Sequence, residues 1–496
     1  MEISFDSRDI SVYREFSRQT RRTQENVECV VPDTDADMEK IASVQSEVFL
    51  KSKDLSARGV MIAGELTASV LYIRDGQTGL SFIRVKKPFS MEFETECPDS
   101  ETLAQISLLI QACDVRVVNP RKIAVSFEVE GELCCYREES LCVESSLPQN
   151  AQGLHGKTEE CTLTLPNAVC EKSVAVNEQF IFPEGSLPDR LVSERSQLYV
   201  TDAQLIGSKV IVKGSAEISL CALTESGELL SCAFSAPFSQ IVDVGVESMS
   251  GCAVRPEITG AYFNLIDTIK GEKALDAELH AVLQLVCSDR RDISTIADAY
   301  SNLMPAELLR RTESLALAPV PGTRKLQKAE RVALMEECGA LLGTLASPVR
   351  LSSQDGKLSA AVNVDFLYQN AEGRLSAARR TISLEMQTDE PQLRILRAGP
   401  VQLSARIEGE YVDCAAELTL ECLTGETAEL SSVTGVVLDE ERAYHQESLP
   451  TLTLVRRGGE SLWTLARKYH SSEEKIRELN EDPETTTRML LIPKCI

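Results

Sequence analysis

Sixteen cysteines, four histidines and 76 acidic side chains are the groups in this chain that could do chemistry. A cysteine nucleophile needs a base close by, because the thiolate is the reactive form. Cys134, Cys135 and Cys142 lie in a stretch, 27–150, that contains no histidine, and only His280 falls near Cys287. His155, His280, His445 and His470 are too dispersed to form a ligand set. No C-x-x-C occurs, so neither a zinc ribbon nor a dithiol redox motif is offered. Acidic pairs such as Glu138-Glu139 and Glu473-Glu474 carry little meaning among so many carboxylates and read as solvated faces. His280 falls on the polar side of an alternating run and reads the same way. Phosphate-cradling, serine-hydrolase and metalloprotease motifs are missing. The expectation is a protein that is not an enzyme, with no metal and no cofactor.

Recognition chemistry is better supplied, in residues 452–496. Ser461 reads as a helix N-cap before Leu462, Leu465, Ala466 and Tyr469. Ser472, with Glu473 and Glu474 behind it, caps a second helix carrying Ile476 and Leu479. Short apolar runs at 452–455 and 490–493 flank the pair as strands. The result is a small βααβ unit with a shallow groove between two loops. Gly458, Gly459, Glu460, Ser461 and Leu462 form one loop, and Pro483, Thr486, Thr487, Arg488 and Met489 belong to the other. Such a groove binds through backbone donors and acceptors and an apolar shelf. Trp463, at helical spacing in the apolar series, reads as core of the unit.

Composition bounds the rest. A hydrophobic fraction of 43% marks a globular chain, and 496 residues suggest about three domains. A net charge of −25 argues against nucleic acid and against an anionic membrane surface. It suits a dispersed protein, or one that meets a basic partner. Residues 1–9 show neither a basic nor an apolar signal region, and no apolar run approaches a membrane span. The expected place is therefore the cytoplasm, without membrane insertion, where cysteines stay reduced. Adjacent Cys134 and Cys135 are expected on opposite faces of a strand.

The elements that must position the groove repeat. Val60, Ile62, Gly64, Leu66, Ala68, Val70 and Tyr72 alternate with polar residues such as Glu65, Thr67 and Ser69. The alternation returns 150 residues after Val60, at Val210, and 148 residues after that, at Leu358. In the second run Ser215, Glu217 and Ser219 intervene, and in the third Ser359, Asn363 and Asp365. Period two with one polar face predicts a half-buried antiparallel strand. Each run ends at a turn: Asp75-Gly76, Ser226-Gly227, Glu372-Gly373. Pro88-Phe89-Ser90 and Pro237-Phe238-Ser239 follow, with Thr381-Ile382-Ser383 in the third place. Later strands alternate over 123–129, 275–281 and 414–420. The predicted fold class is mostly β: three repeated antiparallel β-sandwich-like modules followed by the βααβ unit. Modules are expected at 27–150, 151–302 and 303–440, the last diverged, with a linker at 441–451. Val70, Leu220 and Tyr368 should point into three separate cores. Residues 1–26 read as a polar helical segment around Ile10, Tyr13 and Phe16, with Arg18, Arg21 and Arg22 as a solvated basic patch. Residues 324–342 also read as helical.

These residues carry two family resemblances. The order Val455, Gly458, Glu460-Ser461-Leu462-Trp463, Leu465-Ala466, Tyr469, Leu479-Asn480 and Leu490-Leu491-Ile492-Pro493 resembles the LysM domain. That family binds N-acetylglucosamine-containing glycans or, in some members, a protein. Thr485-Thr486-Thr487-Arg488 stands where the family usually has Pro-Gly. The loss of a residue free to adopt positive φ favours a protein ligand. Val31-Pro32-Asp33 with Asp37-Met38-Glu39-Lys40-Ile41, then Pro188-Asp189 and Asp298-Ala299-Tyr300-Ser301, resemble the SPOCS domain of spore coat proteins. Tandem SPOCS modules before a LysM tail resemble the SipL-like spore coat morphogenetic proteins. The resemblance implies a scaffold on the mother-cell side of the forespore surface. It would bind a SpoIVA-like coat basement-layer ATPase through the LysM tail. The alternative is a cell-wall or cortex protein that binds peptidoglycan.

Overall fold

Alternation governs most of the chain: among the described residues strand accounts for 76% and helix for 4%. The computed structural model describes all residues except 78, 96–100, 150, 335, 391, 457, 482, 484–488 and 496. The chain opens with β1 (Glu2–Ser4), β2 (Asp6–Val30), β3 (Met38–Ser56), β4 (Gly59–Arg74), β5 (Leu80–Glu94), β6 (Leu103–Asn119) and β7 (Lys122–Ser146). Two three-stranded antiparallel sheets result, in the orders β2-β7-β6 and β3-β4-β5. Next come β8 (Leu154–Ile181), β9 (Pro188–Ile206), β10 (Lys209–Thr224), β11 (Leu229–Asp243), β12 (Gly251–Asp267) and β13 (Lys273–Ser301). They pair as β8-β13-β12 and β9-β10-β11. The strands β14 (Ala306–Ala316), β15 (Val320–Ala333), β16 (Cys338–Gln354), β17 (Lys357–Asn370), β18 (Leu375–Gln387), β19 (Arg394–Glu408), β20 (Tyr411–Thr424) and β21 (Thr427–Leu438) follow. Here the orders are β15-β20-β19 and β16-β17-β18, with β1-β21-β14 as a further sheet. The chain closes with β22 (Leu452–Arg456), α1 (Leu462–Lys468), α2 (Glu473–Leu479) and β23 (Met489–Pro493).

Each pair of sheets shares a core. Val70 packs with Val60, Phe93, Phe127 and Val129. Leu220 packs with Val210, Phe238 and Leu285, and Tyr368 with Leu358, Phe366, Ile382 and Leu418. The turns Asp75-Gly76, Ser226-Gly227 and Glu372-Gly373 all place their glycine at positive φ, at 71°, 81° and 73°. The Pro-Phe-Ser residues also acquire a reason. Gly64 lies opposite Phe89, and Gly214 opposite Phe238. A Cβ on either glycine would meet the ring at 2.4 and 2.8 Å. The third sheet replaces both members, pairing Val362 with Ile382.

Three expectations are corrected. Residues 1–26 are strand: β2 pairs along β7, Ile10 with Leu141 and Tyr13 with Glu138. The three-residue spacing of Ile10, Tyr13 and Phe16 was coincidental, and a long partner strand overrides local periodicity. Two members of the basic patch are paired along the sheet: Arg18 donates to Glu15 at 2.8 Å and Arg22 to Glu130 at 2.6 Å. The stretch 324–342 is likewise not helical: up to Ala333 it continues β15, paired along β20, and from Cys338 it begins β16. Finally, Asp365 on the polar side of β17 is buried, held by Arg379 at 2.6 and 2.8 Å and by the Val44 amide at 3.3 Å.

That burial arises because the three sheet pairs meet. Leu71 and Ile73 of β4, Cys221 and Leu223 of β10, and Leu367 of β17 share one buried cluster. Side-chain amides bridge the contact: Gln284 exchanges two bonds with the Ile106 backbone, both 2.7 Å, and Gln197 donates to the Ala398 carbonyl at 2.6 Å. Glu132 of β7 pairs with Arg394 of β19 at 2.6 Å and lies 3.8 Å from Arg255 of β12. Cys134 turns toward this cluster while Cys135 enters the core of its own sheets, so the adjacent thiols do face opposite ways.

Candidate functional site

Residues 452–493 form a β-α-α-β unit because each helix has a cap and each strand a partner. The Ser461 hydroxyl accepts from the Thr464 amide at 3.1 Å, and the Ser472 hydroxyl from the Lys475 amide at 3.3 Å. β22 and β23 pair antiparallel, Leu454 opposite Leu491. Asn480 ties helix to ribbon: its amide nitrogen donates to the Ile476 and Leu491 carbonyls, and its oxygen accepts from the Leu491 amide.

The register places Arg456 opposite Met489. The loop after β22 and the loop before β23 therefore leave the same end of the ribbon. Gly458, Gly459 and Ser461 are exposed, and Glu460 is half-buried with Lys468 3.5 Å away. A Cβ at Gly458 or Gly459 would meet nothing within 4 Å, and Gly459 has a φ of 95°. Met489 is exposed, whereas Pro483 is buried and Leu462 is buried in the unit's interior. Thr486, Thr487 and Arg488 lie outside the described residues. Along the ribbon Leu452 and Leu454 are exposed as well, Leu452 at the end away from these loops.

Sequence reasoning missed how the unit is attached. Tyr300, at the end of β13, is buried among Leu462, Leu465, Ala466, Ile476, Leu490 and Ile492. Its hydroxyl donates to the Ser471 carbonyl at 2.8 Å, and Asn302 donates to the Cys495 carbonyl at 3.1 Å. Trp463 is not simply interior. Its ring meets Tyr300 edge-on at 4.7 Å and its Nε1 donates to Asp298 at 2.7 Å. Arg467, one turn on, reaches the same carboxylate at 3.4 Å. His155 stacks on Tyr300, and Tyr444, from the 441–451 segment, lies 4.1 Å from the His470 ring. Leu462 of the first groove loop thus shares this contact, while Gly458, Gly459 and Ser461 just before it stay exposed. Asp298-Ala299-Tyr300-Ser301 carried the signal, since its aromatic lies at a strand end.

A second concavity lies where the sheet pairs meet. A cavity of about 130 Å³ is lined by Glu47, Arg195, Gln197, Glu257 and Arg397, among others. Burial pushes the Glu47 and Glu257 carboxyls up to about 8 and pulls Arg195 down. The Ser196 amide donates to Glu47 at 2.8 Å. Ligand pockets span roughly 300–1,000 Å³, so this polar void suits ordered water and serves the junction. No three His, Cys, Asp or Glu side chains among the described residues are grouped to hold a metal ion. His280 lies 2.7 Å from Glu278, away from any thiol partner. Among the described residues, no helix is long and apolar enough to cross a membrane. Compared with family models, curated proteins and solved structures, the chain matches none.

Proposed function

We propose that this chain is a non-enzymatic scaffold of the spore coat, and that its C-terminal β-α-α-β unit is a LysM-type module that grips a protein. The partner is a SpoIVA-like basement-layer ATPase, met on the mother-cell side of the forespore surface. The three sheet pairs act as SPOCS-type sandwich modules, with residues 1–26 belonging to the first. One observation carries the reading. The unit is anchored through Trp463, Arg467 and Tyr300, while Gly458, Gly459, Ser461 and Met489 remain exposed. A module held in place with an exposed loop is suited to present a binding site.

The test is affinity capture of the full-length chain from sporulating cells, followed by identification of bound proteins. The basement ATPase should be the main capture. Glu460→Arg, in the exposed loop, should reduce it about tenfold or more, a loss of about 1.4 kcal/mol. Capture of peptidoglycan fragments in place of the ATPase would return the wall-binding reading.

A further inference from the structure

Among the described thiols of this chain, two are positioned to react with each other. Cys252 on β12 and Cys287 on β13 are direct cross-strand partners. Their sulfurs are 3.5 Å apart. Opposed residues in antiparallel strands have Cα atoms about 4.5 or 5.5 Å apart. Both values fall within the range a disulfide spans. A third thiol stands on the same face. Cys170 of β8 lies opposite Leu285, two residues from Cys287 along β13. All three border one core, with Cys287 fully buried and Cys170 and Cys252 half-buried. We propose that Cys252 and Cys287 form a redox-closable pair, oxidised to a disulfide by a peroxide, with Cys170 as an exchange partner.

The chemistry balances with hydrogen peroxide as the oxidant. A thiolate of the pair attacks one peroxide oxygen and breaks the O–O bond. Hydroxide leaves, takes up the released proton and becomes water, and the attacking sulfur is now a sulfenic acid. The second thiol attacks that sulfur, the S–O bond breaks, and a second water departs. Two thiols and one peroxide become one disulfide and two waters. The contact also biases the proton: the shared S–H lowers the Cys287 thiol and raises that of Cys252. Accessibility of Cys252, at the start of β12 beside exposed Ser250, gives the oxidant its entry. The product staples β12 to β13. Attack by the Cys170 thiolate on the Cys287 sulfur would move the link to β8 and release the Cys252 thiolate.

Full-length protein is exposed to hydrogen peroxide, its remaining thiols are alkylated, and peptides are identified by mass spectrometry. A Cys252–Cys287 linked peptide should accumulate about tenfold faster than oxidation of half-buried Cys142. In Cys252→Ser the link should shift to Cys170–Cys287. Circular dichroism of the reduced variant reports whether its fold is intact, and the wild-type reading stands without it. Persistence of alkylatable Cys252 and Cys287 after Cys142 has been oxidised would overturn the proposal. So would a link that forms only in denaturant.

Discussion

Glu47 shows how much a single buried group governs at the junction. Its carboxyl lines the central cavity, accepts the Ser196 amide, and is raised by burial from 4.5 to about 8. The folded state thus holds a proton that the unfolded chain releases between those values. This group's stabilisation is complete below pH 4.5 and is lost as pH rises through 8. Glu257 acts in the same direction, from desolvation as its largest cause. Glu47→Gln keeps an acceptor for Ser196 and cannot ionise. Its thermal midpoint should fall about 2–4 °C less than that of wild type between about pH 6 and pH 9. Parallel curves would show that Glu47 ionises freely. Nothing in the sequence marks Glu47, because it sits on a strand's polar side like many solvated glutamates. Asp365 was misread for the same reason. Alternation reports which side of a strand is apolar, and a polar side buried against a neighbouring sheet looks no different.

At the scale of elements, the starts of the two short helices of the C-terminal unit were legible to the residue, although Leu479, expected on the apolar face beside Ile476, is exposed. Ser461 and Ser472 are local caps whose signal needs no partner. The central strands of each sheet were legible too, since period two survives along β4, β10 and β17. Strand β2 was not, because it is an edge strand whose polar residues answer to β7 rather than to a core. The docking of the tail was equally hidden, since Asp298 and Trp463 are 165 residues apart. That docking is expected to depend on pH. His155 and His470 at the contact are both lowered from 6.5 by burial. The docked state therefore favours neutral rings, and its stability is lost as pH falls below 6.5. Trp463 is the only tryptophan and reports the contact directly. Its emission should shift to the red on acidification from about pH 7.5 to pH 5.5, before the sheets unfold. Asp298→Ala should show the shift at neutral pH. An unchanged spectrum in that variant would mean that the indole bond does not hold the unit in place.

At the scale of the molecule, charge separates the frame from the tail. Residues 452–496 contain eight basic and seven acidic side chains, while the whole chain carries −25. A partner meets least repulsion at the tail, and a few anchors at its exposed loop end would concentrate the binding energy. The tail docks at the end of β13 through Asp298, Tyr300 and Asn302. Tyr300 belongs to the tail's own interior, so deleting the tail would strip the frame as well as the site. Loop substitutions in the intact chain are the cleaner probe. Titration calorimetry of the full-length protein with the purified basement ATPase, and separately with N-acetylglucosamine oligomers, tests the central claim most directly. The account predicts saturable binding of the ATPase, weakened about tenfold or more by Glu460→Arg without change in the thermal midpoint, and little heat from the glycan. Low-micromolar glycan binding, or ATPase binding indifferent to Glu460→Arg, would contradict it.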